Sequence, residues 1–220
     1  MTIVATDTAS LRRAGRVLDA AGAVILPLPT PLPYIVASLN AATVNAAKKR
    51  PGRQPVGLTV ADFSLMTPHV DLDADTLALA RWLTADQMLN LLLPVVDGGP
   101  AWLRPSTSRG WLGVTLACSS QTRALLNQRG HLYVSSANRT GCPVARTAPA
   151  ANAAFGGQLL VIDGDPVRDS SAASGSATIV RVGPHRHLQV VRHGIQDATF
   201  NGDIRRFVQH LIRSWEHSRP

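Results

Sequence analysis

Residues 132–141 read LYVSSANRTG. Leu132, Tyr133 and Val134 are apolar, aromatic or β-branched, and they run into Ser-Ser-Ala-Asn and then Gly141. The pattern predicts a buried strand ending in a tight polar turn. Open α/β sheets place ligands at such a turn, beyond a strand's carboxyl end. Ser136 and Asn138 have short side chains that can donate and accept hydrogen bonds. Successive backbone N–H groups in the turn can form an anion-binding nest. An ordinary surface turn is the competing reading.

Upstream of this stretch, strands and helices alternate. Thr8 to Ala21 predicts a helix with Leu11, Ala14, Val17, Leu18 and Ala21 on one face, capped by Asp7 or Thr8 and stopped by Gly22. Ala23 to Leu28 reads as a buried strand. PLPTPLP follows, and its prolines forbid a continuous ladder and stiffen the loop. Pro33 suits the first turn of a second helix, over Tyr34 to Ala47. Lys48, Lys49, Arg50 and Arg53 close that helix, either complementing its dipole or gripping phosphate. Val56 to Val60 is a strand, Ala74 to Leu83 a helix, and Leu89 to Val96 an apolar strand. Asp97-Gly98-Gly99-Pro100 is a turn. The loop to Gly110 carries Trp102, Arg104 and Arg109 and reads as an exposed hairpin or a mobile lid. Trp111 to Ala117 is a strand and Gln121 to Gln128 a helix.

Downstream, residues 147–156 predict a short Ala-rich helix and Gln158 to Ile162 a strand. Asp163 to Ser176 is a Gly-, Ser- and Asp-rich loop. Thr178 to Val182 and Leu188 to Val191 form a hairpin around Gly183-Pro184, with His185, Arg186 and His187 solvated at its tip. No set of residues shows metal-ligand spacing. The last element, Asp203 to Trp215, is an amphipathic helix with Ile204, Phe207, Val208, Leu211, Ile212 and Trp215 on one face. We therefore expect one α/β domain over residues 1–200. Residues 201–220 should pack as a C-terminal helix on that domain or on a second copy in a homodimer.

Composition narrows the function. The 220 residues are 45% hydrophobic but only 5% aromatic, so the core should be Leu, Val and Ala. The formal net charge of +8 suits a polyanion such as ATP, or weak, salt-sensitive RNA binding. Sequence-specific RNA recognition is not expected, because no RNP motif, zinc knuckle or long Lys/Arg run is present. Cys118 and Cys142 give no disulfide framework or CxxC site; Cys118 is expected in the core and Cys142 near the turn. No stretch predicts a signal peptide or membrane span, and the cytoplasm is the expected compartment. A nucleophile elbow, a Walker loop and a Rossmann fingerprint are all missing. The remaining Lys, Arg, Ser, Asn and Thr residues on loops suit binding and orienting phosphates, as adenylyl transfer requires.

Five segments in chain order resemble the YrdC family, the fold of threonylcarbamoyl-adenylate synthases in tRNA modification. Ser136-Ala137-Asn138 resembles its Ser-Ala-Asn turn, and AGAVILPLPTPLPYIV from Ala23 its strand and proline-threonine motif. AKKRPGRQP from Ala47 resembles its Lys-x-Arg-Pro loop, ATIV from Ala177 its Ser-Thr-Ile segment, and VRHGI from Val191 its closing Arg-x-Gly. The resemblance spans roughly residues 8–196. It implies a YrdC-like twisted mixed sheet flanked by helices. The activity it implies joins an amine or amino acid, bicarbonate and ATP, with Mg2+, into a carbamoyl-adenylate and pyrophosphate. Lys48, Arg50, Ser136, Asn138 and Arg192 would then hold the nucleotide. Thr178 would border the reaction centre, with Lys48 and Arg50 as its catalytic cations. Thr30, Leu32, Tyr34, Thr115 and Ala177 would line the acceptor pocket. The metal would have no dedicated protein ligand set.

The resemblance also has gaps. The family's second Thr in the proline-threonine motif falls on Leu32, its Ser before Thr-Ile on Ala177, and its strand Arg on Thr115. LTADQM at Leu83 to Met88 stands where the family has Pro-Gly-Pro and a Thr. Each of the first three changes removes hydrogen-bonding capacity and should weaken threonine recognition. Two readings follow: an enzyme acting on a different acceptor, or a non-catalytic nucleotide- or RNA-binding paralogue.

Overall fold

The computed structural model describes residues 3–116, 119–169 and 171–218, and omits the side chains of residues 120 and 121. Cys118 lies outside the described residues. Six helices are described: α1 (Thr8–Asp19), α2 (Ala41–Ala47), α3 (Ala74–Ala85), α4 (Ser120–Asn127), α5 (Ala148–Ala154) and α6 (Ile204–Ser218). The first strands are β1 (Ile3–Val4), β2 (Ala23–Leu26), β3 (Ile35–Ser38), β4 (Gly57–Val60), β5 (Asn90–Pro94) and β6 (Thr107–Ser108). The others are β7 (Trp111–Thr115), β8 (His131–Ser136), β9 (Leu160–Ile162), β10 (Ile179–Gly183) and β11 (His187–Arg192). All eleven join one mixed sheet in the order β1-β9-β2-β3-β8-β4-β7-β5-β10-β11, with β6 paired to β7.

The central strands are hydrophobic on both faces, as burial between two layers demands. Alternate residues point to opposite sides. Ile25, Val36, Leu58 and Val180 join one core cluster with Val44 of α2, Leu79 and Leu83 of α3, and Phe207, Leu211 and Trp215 of α6. Val24, Leu26, Ile35, Ala37 and Leu132 join a second cluster with Ala14 and Leu18 of α1 and Leu125 and Leu126 of α4. That second cluster reaches β9, β2, β3 and β8 and takes in no residue of β4, β5, β7 or β10. A cavity occupies that part of the sheet.

One element differs from the sequence reading. Tyr34 to Ser38 is not the start of a helix; Ile35–Ser38 is β3, antiparallel to both β2 and β8. The proline loop reverses the chain, with Leu32 N–H donating to Pro29 O at 2.9 Å. All four β3 residues are buried, where β-branched Ile35 and Val36 suit a strand. The helix starts seven residues later than expected, at Ala41, because Asn40 caps it, accepting from Ala42 N at 2.9 Å. The segment before Gly110 is a 3-10 turn (Ala101–Ser106) followed by the β6–β7 hairpin, whose bend uses positive φ at Arg109 and Gly110. The hairpin β10–β11 forms as expected, and Arg186 at its tip pairs with Asp75 at 3.4 Å.

Candidate functional site

The polar turn after β8 is tied to the end of α2. Lys48 is the C-cap of α2 and is 4% exposed, yet its ammonium finds three acceptors. Nζ donates to Ser136 O at 2.5 Å, Asn138 O at 2.6 Å and Asn138 Oδ1 at 3.0 Å. Burial, then the charge of Arg50, lowers its pKa to about 8, so it remains a cation at neutral pH. The same Oδ1 accepts from Ser136 Oγ at 2.6 Å, and Asn138 Nδ2 donates to Cys142 O at 2.5 Å. Cys142 is an exposed free thiol beside this turn. Lys48 and Asn138 thus fix the turn's shape and do not line the cavity.

Arg50 does line it. Nε donates to Asn45 Oδ1 at 2.5 Å, while Asn45 Nδ2 bonds Gly52 O and Gln54 O, both at 2.9 Å. Arg50 Nη2 is buried without a hydrogen-bond partner. Arg192, at the end of β11, donates from Nη2 to Ala177 O at 2.8 Å and also borders the cavity. Partial burial lowers the pKa of both guanidiniums, and neither has a carboxylate beside it.

Thr178 is fully buried and does not line the cavity. Its Oγ1 donates to Asp197 Oδ1 at 2.5 Å and its N–H to Gln196 Oε1 at 2.8 Å. Asp197 also accepts from Gly194 N–H at 2.7 Å, and its Oδ2 lies 2.5 Å from His193 Nδ1. Burial raises the Asp197 pKa, but the bonds from Thr178, Gly194 and His193 outweigh it and the net shift is downward. Asp197 is therefore the anchor that holds the Arg192-His193-Gly194 segment against the start of β10. It lies outside every motif, and only its place three residues after Gly194 could have flagged it.

The cavity holds about 580 Å3, within the range of small-molecule sites. Its floor is bare because Gly57 on β4 and Gly113 on β7 carry no side chains there. Leu32, Thr115 and Ala177, the three departures from the family pattern, all line it. Tyr34 does not: it lies in the other core cluster, and its hydroxyl donates to Asp165 Oδ1 at 2.7 Å and accepts from Gly164 N–H. Burial, then Asp165, raises its pKa. Thr30 also lies off the cavity, and its Oγ1 is buried without a partner. Arg168 docks the long loop over the proline segment, donating to Leu28 O, and to Leu32 O at 2.6 Å.

The lining residues include Arg50, Arg109, Arg181 and Arg192 and no Asp or Glu among those described. Sequence reasoning missed Arg181 and its neighbour Trp111. The one charged residue in Ile-Val-Arg-Val of β10 was the available signal. Such a lining can take up anions and orient them.

The family model for Sua5/YciO/YrdC, described as telomere recombination, matches residues 31–194. The chain belongs to that family. Among solved structures, P. abyssi Sua5 complexed with L-threonine superposes with a TM-score of 0.69 at 17% identity, over 88% of this chain and 58% of that one. This chain thus spans less than two thirds of that protein's length. E. coli YciO gives 0.63 at 14% identity, over 88% of this chain and 94% of that one. Full-length HypF in its phosphate- and nucleotide-bound form gives 0.64 at 16% identity, over 86% of this chain and 29% of that one. No curated protein sequence matches the chain. Among the described residues, no helix is long and apolar enough to cross a membrane.

Proposed function

We propose that this protein makes a carbamoyl-adenylate from an amine-bearing acceptor, bicarbonate and ATP, in the cytoplasm. The observation that carries the reading is an acid-free cavity with four arginines, one of them with a buried, unpaired Nη2 donor, beside the Lys48-braced SAN turn. An unpaired buried donor is costly until an acceptor arrives, and phosphate and carbamate oxygens are acceptors. Arg50 would bind triphosphate, with Ser136 at its other edge, and Arg192 would contact the nucleotide. Mg2+ would enter on the phosphates, neutralising charge there, since no carboxylate lines the cavity. The acceptor nitrogen attacks the carbon of bicarbonate-derived CO2 and loses a proton. A carbamate oxygen then attacks the α-phosphorus, and pyrophosphate leaves with the broken bond's electron pair. The protein supplies alignment and positive charge, with no covalent enzyme intermediate.

The bonds within Lys48, Asn138 and Thr178 favour a second reading, a nucleotide-binding paralogue without turnover. Pyrophosphate release tests the two. A synthetase releases it only when acceptor, bicarbonate and ATP are all present. ATP binding with no release across a panel of amines and amino acids leaves the binding module.

A further inference from the structure

The cavity contains a cation from outside the five motifs. Arg181 lies between buried Val180 and Val182 on β10, and strand alternation turns it to the cavity. Its guanidinium carbon is 4.5 Å from the centroid of the Trp111 ring, a contact that fixes its plane. Nη1 donates to Gln189 Oε1 at 3.1 Å. Nε is buried and has no hydrogen-bond partner. Ser106, which also lines the cavity, has a buried hydroxyl in the same condition. Arg181 and Ser106 thus join Arg50 as lining residues that carry a buried donor without a partner.

The position of this cation differs from the one the family resemblance implies. A family-like Arg would stand at Thr115, in the row that register builds from Thr115, Asn90 and Ile179. That row adjoins Ala177 and Thr178. Arg181 starts in the next row, with Leu92 and Gly113, and its head rests on Trp111. Trp111 is four residues from Thr115 on β7, about 13 Å at the usual strand rise. Arg181 is rooted two residues further from the Ala177 end, about 7 Å at the usual strand rise, and its head rests on Trp111.

We propose that Arg181, held on Trp111, binds a carboxylate at the far end of the acceptor, which is therefore an ω-amino carboxylate with several methylenes between its two ends. This rests on the synthetase reading for where the amine reacts. An α-amino acid carries its carboxylate one carbon from the nitrogen and cannot occupy both ends. A methylene chain fits the ground between them: Leu32 and Ala177 at the amine end, then Leu92 and the bare floor at Gly113. Arg181 is a binding residue and takes part in no bond change.

Calorimetric titration with glycine, L-threonine, β-alanine, γ-aminobutyrate, δ-aminovalerate and n-pentylamine tests this. Affinity should rise along the amino carboxylates to δ-aminovalerate. Arg181→Gln should weaken δ-aminovalerate at least about tenfold, leave n-pentylamine and ATP unchanged, and Arg181→Lys should restore part of the loss. Unchanged ATP binding shows that the variant is folded. Three results overturn the inference: no amino carboxylate binds, glycine or threonine binds as tightly as δ-aminovalerate, or Arg181→Gln binds δ-aminovalerate like the parent. If δ-aminovalerate binds through Arg181 but no pyrophosphate follows with bicarbonate and ATP, the synthetase reading fails and the anchor stands. If α-amino acids alone drive release, the anchor fails and the synthetase stands.

Discussion

Gly194 is the point where the Arg192-His193-Gly194 segment presses on the start of β10, and Gly194→Ala should damage both fold and site. A Cβ there would lie 2.2 Å from Thr178 N, 2.4 Å from Ala177 C and 2.5 Å from Ser176 O. All three are backbone atoms, so no side chain can swing aside. The segment must lift, which strains the donation from Gly194 N–H to Asp197 and from Ile195 N–H to Ser176 O at 2.9 Å. Overpacking costs about 1–3 kcal/mol and two weakened hydrogen bonds add roughly 0.5–1.5 kcal/mol each, so we expect a loss of about 2–6 kcal/mol. In a chain of this size that lowers Tm by roughly 4–24 °C. The control is Gly52→Ala, where a Cβ meets nothing within 4 Å, and it should change stability by less than about 0.5 kcal/mol. Urea unfolding followed by tryptophan fluorescence measures both. Equal midpoints for the two variants would refute the close approach, and with it the placement of Arg192 over Ala177.

Three further outcomes follow from the same bonds. Raising pH through about 8 takes a proton from Lys48 and leaves two donors for three acceptors, so ATP affinity should fall there and Lys48→Met should abolish that pH dependence. Folding should respond in the opposite sense: the unfolded lysine holds its proton up to its ordinary value of 10.5, so between the two values this group makes the folded state more stable as pH rises. Asp197 is a depressed carboxylate, so its stabilisation is present above the unfolded value of about 3.9 and lost as pH falls through the folded one. Asp197→Asn should flatten that acid limb in pH-dependent unfolding and cost roughly 1–3 kcal/mol at neutral pH. Thr115→Arg with Leu32→Thr and Ala177→Ser should raise threonine-dependent pyrophosphate release; strong threonine turnover by the parent protein would show the pocket was never retuned.

Strands, most helices and the polar turn were legible because their apolar periodicity and caps act over a few residues. The Tyr34–Ser38 segment was misread for a physical reason. Pro33 is as compatible with a strand entry as with a helix start, and only pairing with β2 and β8 decides between them. The motif residues were found, but not their division of labour. Asn138 shares its turn with Ser136 while Lys48 belongs to a distant loop, and sequence spacing cannot show that their polar atoms are bonded to one another. Arg181 could not be assigned either, because its neighbour Trp111 is brought to it by a register between distant strands.

That division of labour reorganises the site. Lys48, Asn138 and Thr178 each satisfy their polar atoms against the protein, and each is largely or wholly buried. They set the positions of the SAN turn and of the Ala177 segment without facing the cavity. Among the described residues, Arg50 Nη2, Ser106 Oγ and Arg181 Nε are unpaired buried atoms on cavity-lining residues, while Thr30 Oγ1, Thr59 Oγ1 and Ser174 Oγ are unpaired away from the lining. Buried polar groups are normally paired, so the three on lining residues are the ones an incoming ligand can satisfy. Every one of the three can donate to an oxygen anion, and no lining carboxylate competes for them. Substitutions at the bonded residues should therefore lower stability and affinity together. Ser106→Ala removes an unpaired hydroxyl and should lower affinity alone, leaving the unfolding midpoint unchanged or raised.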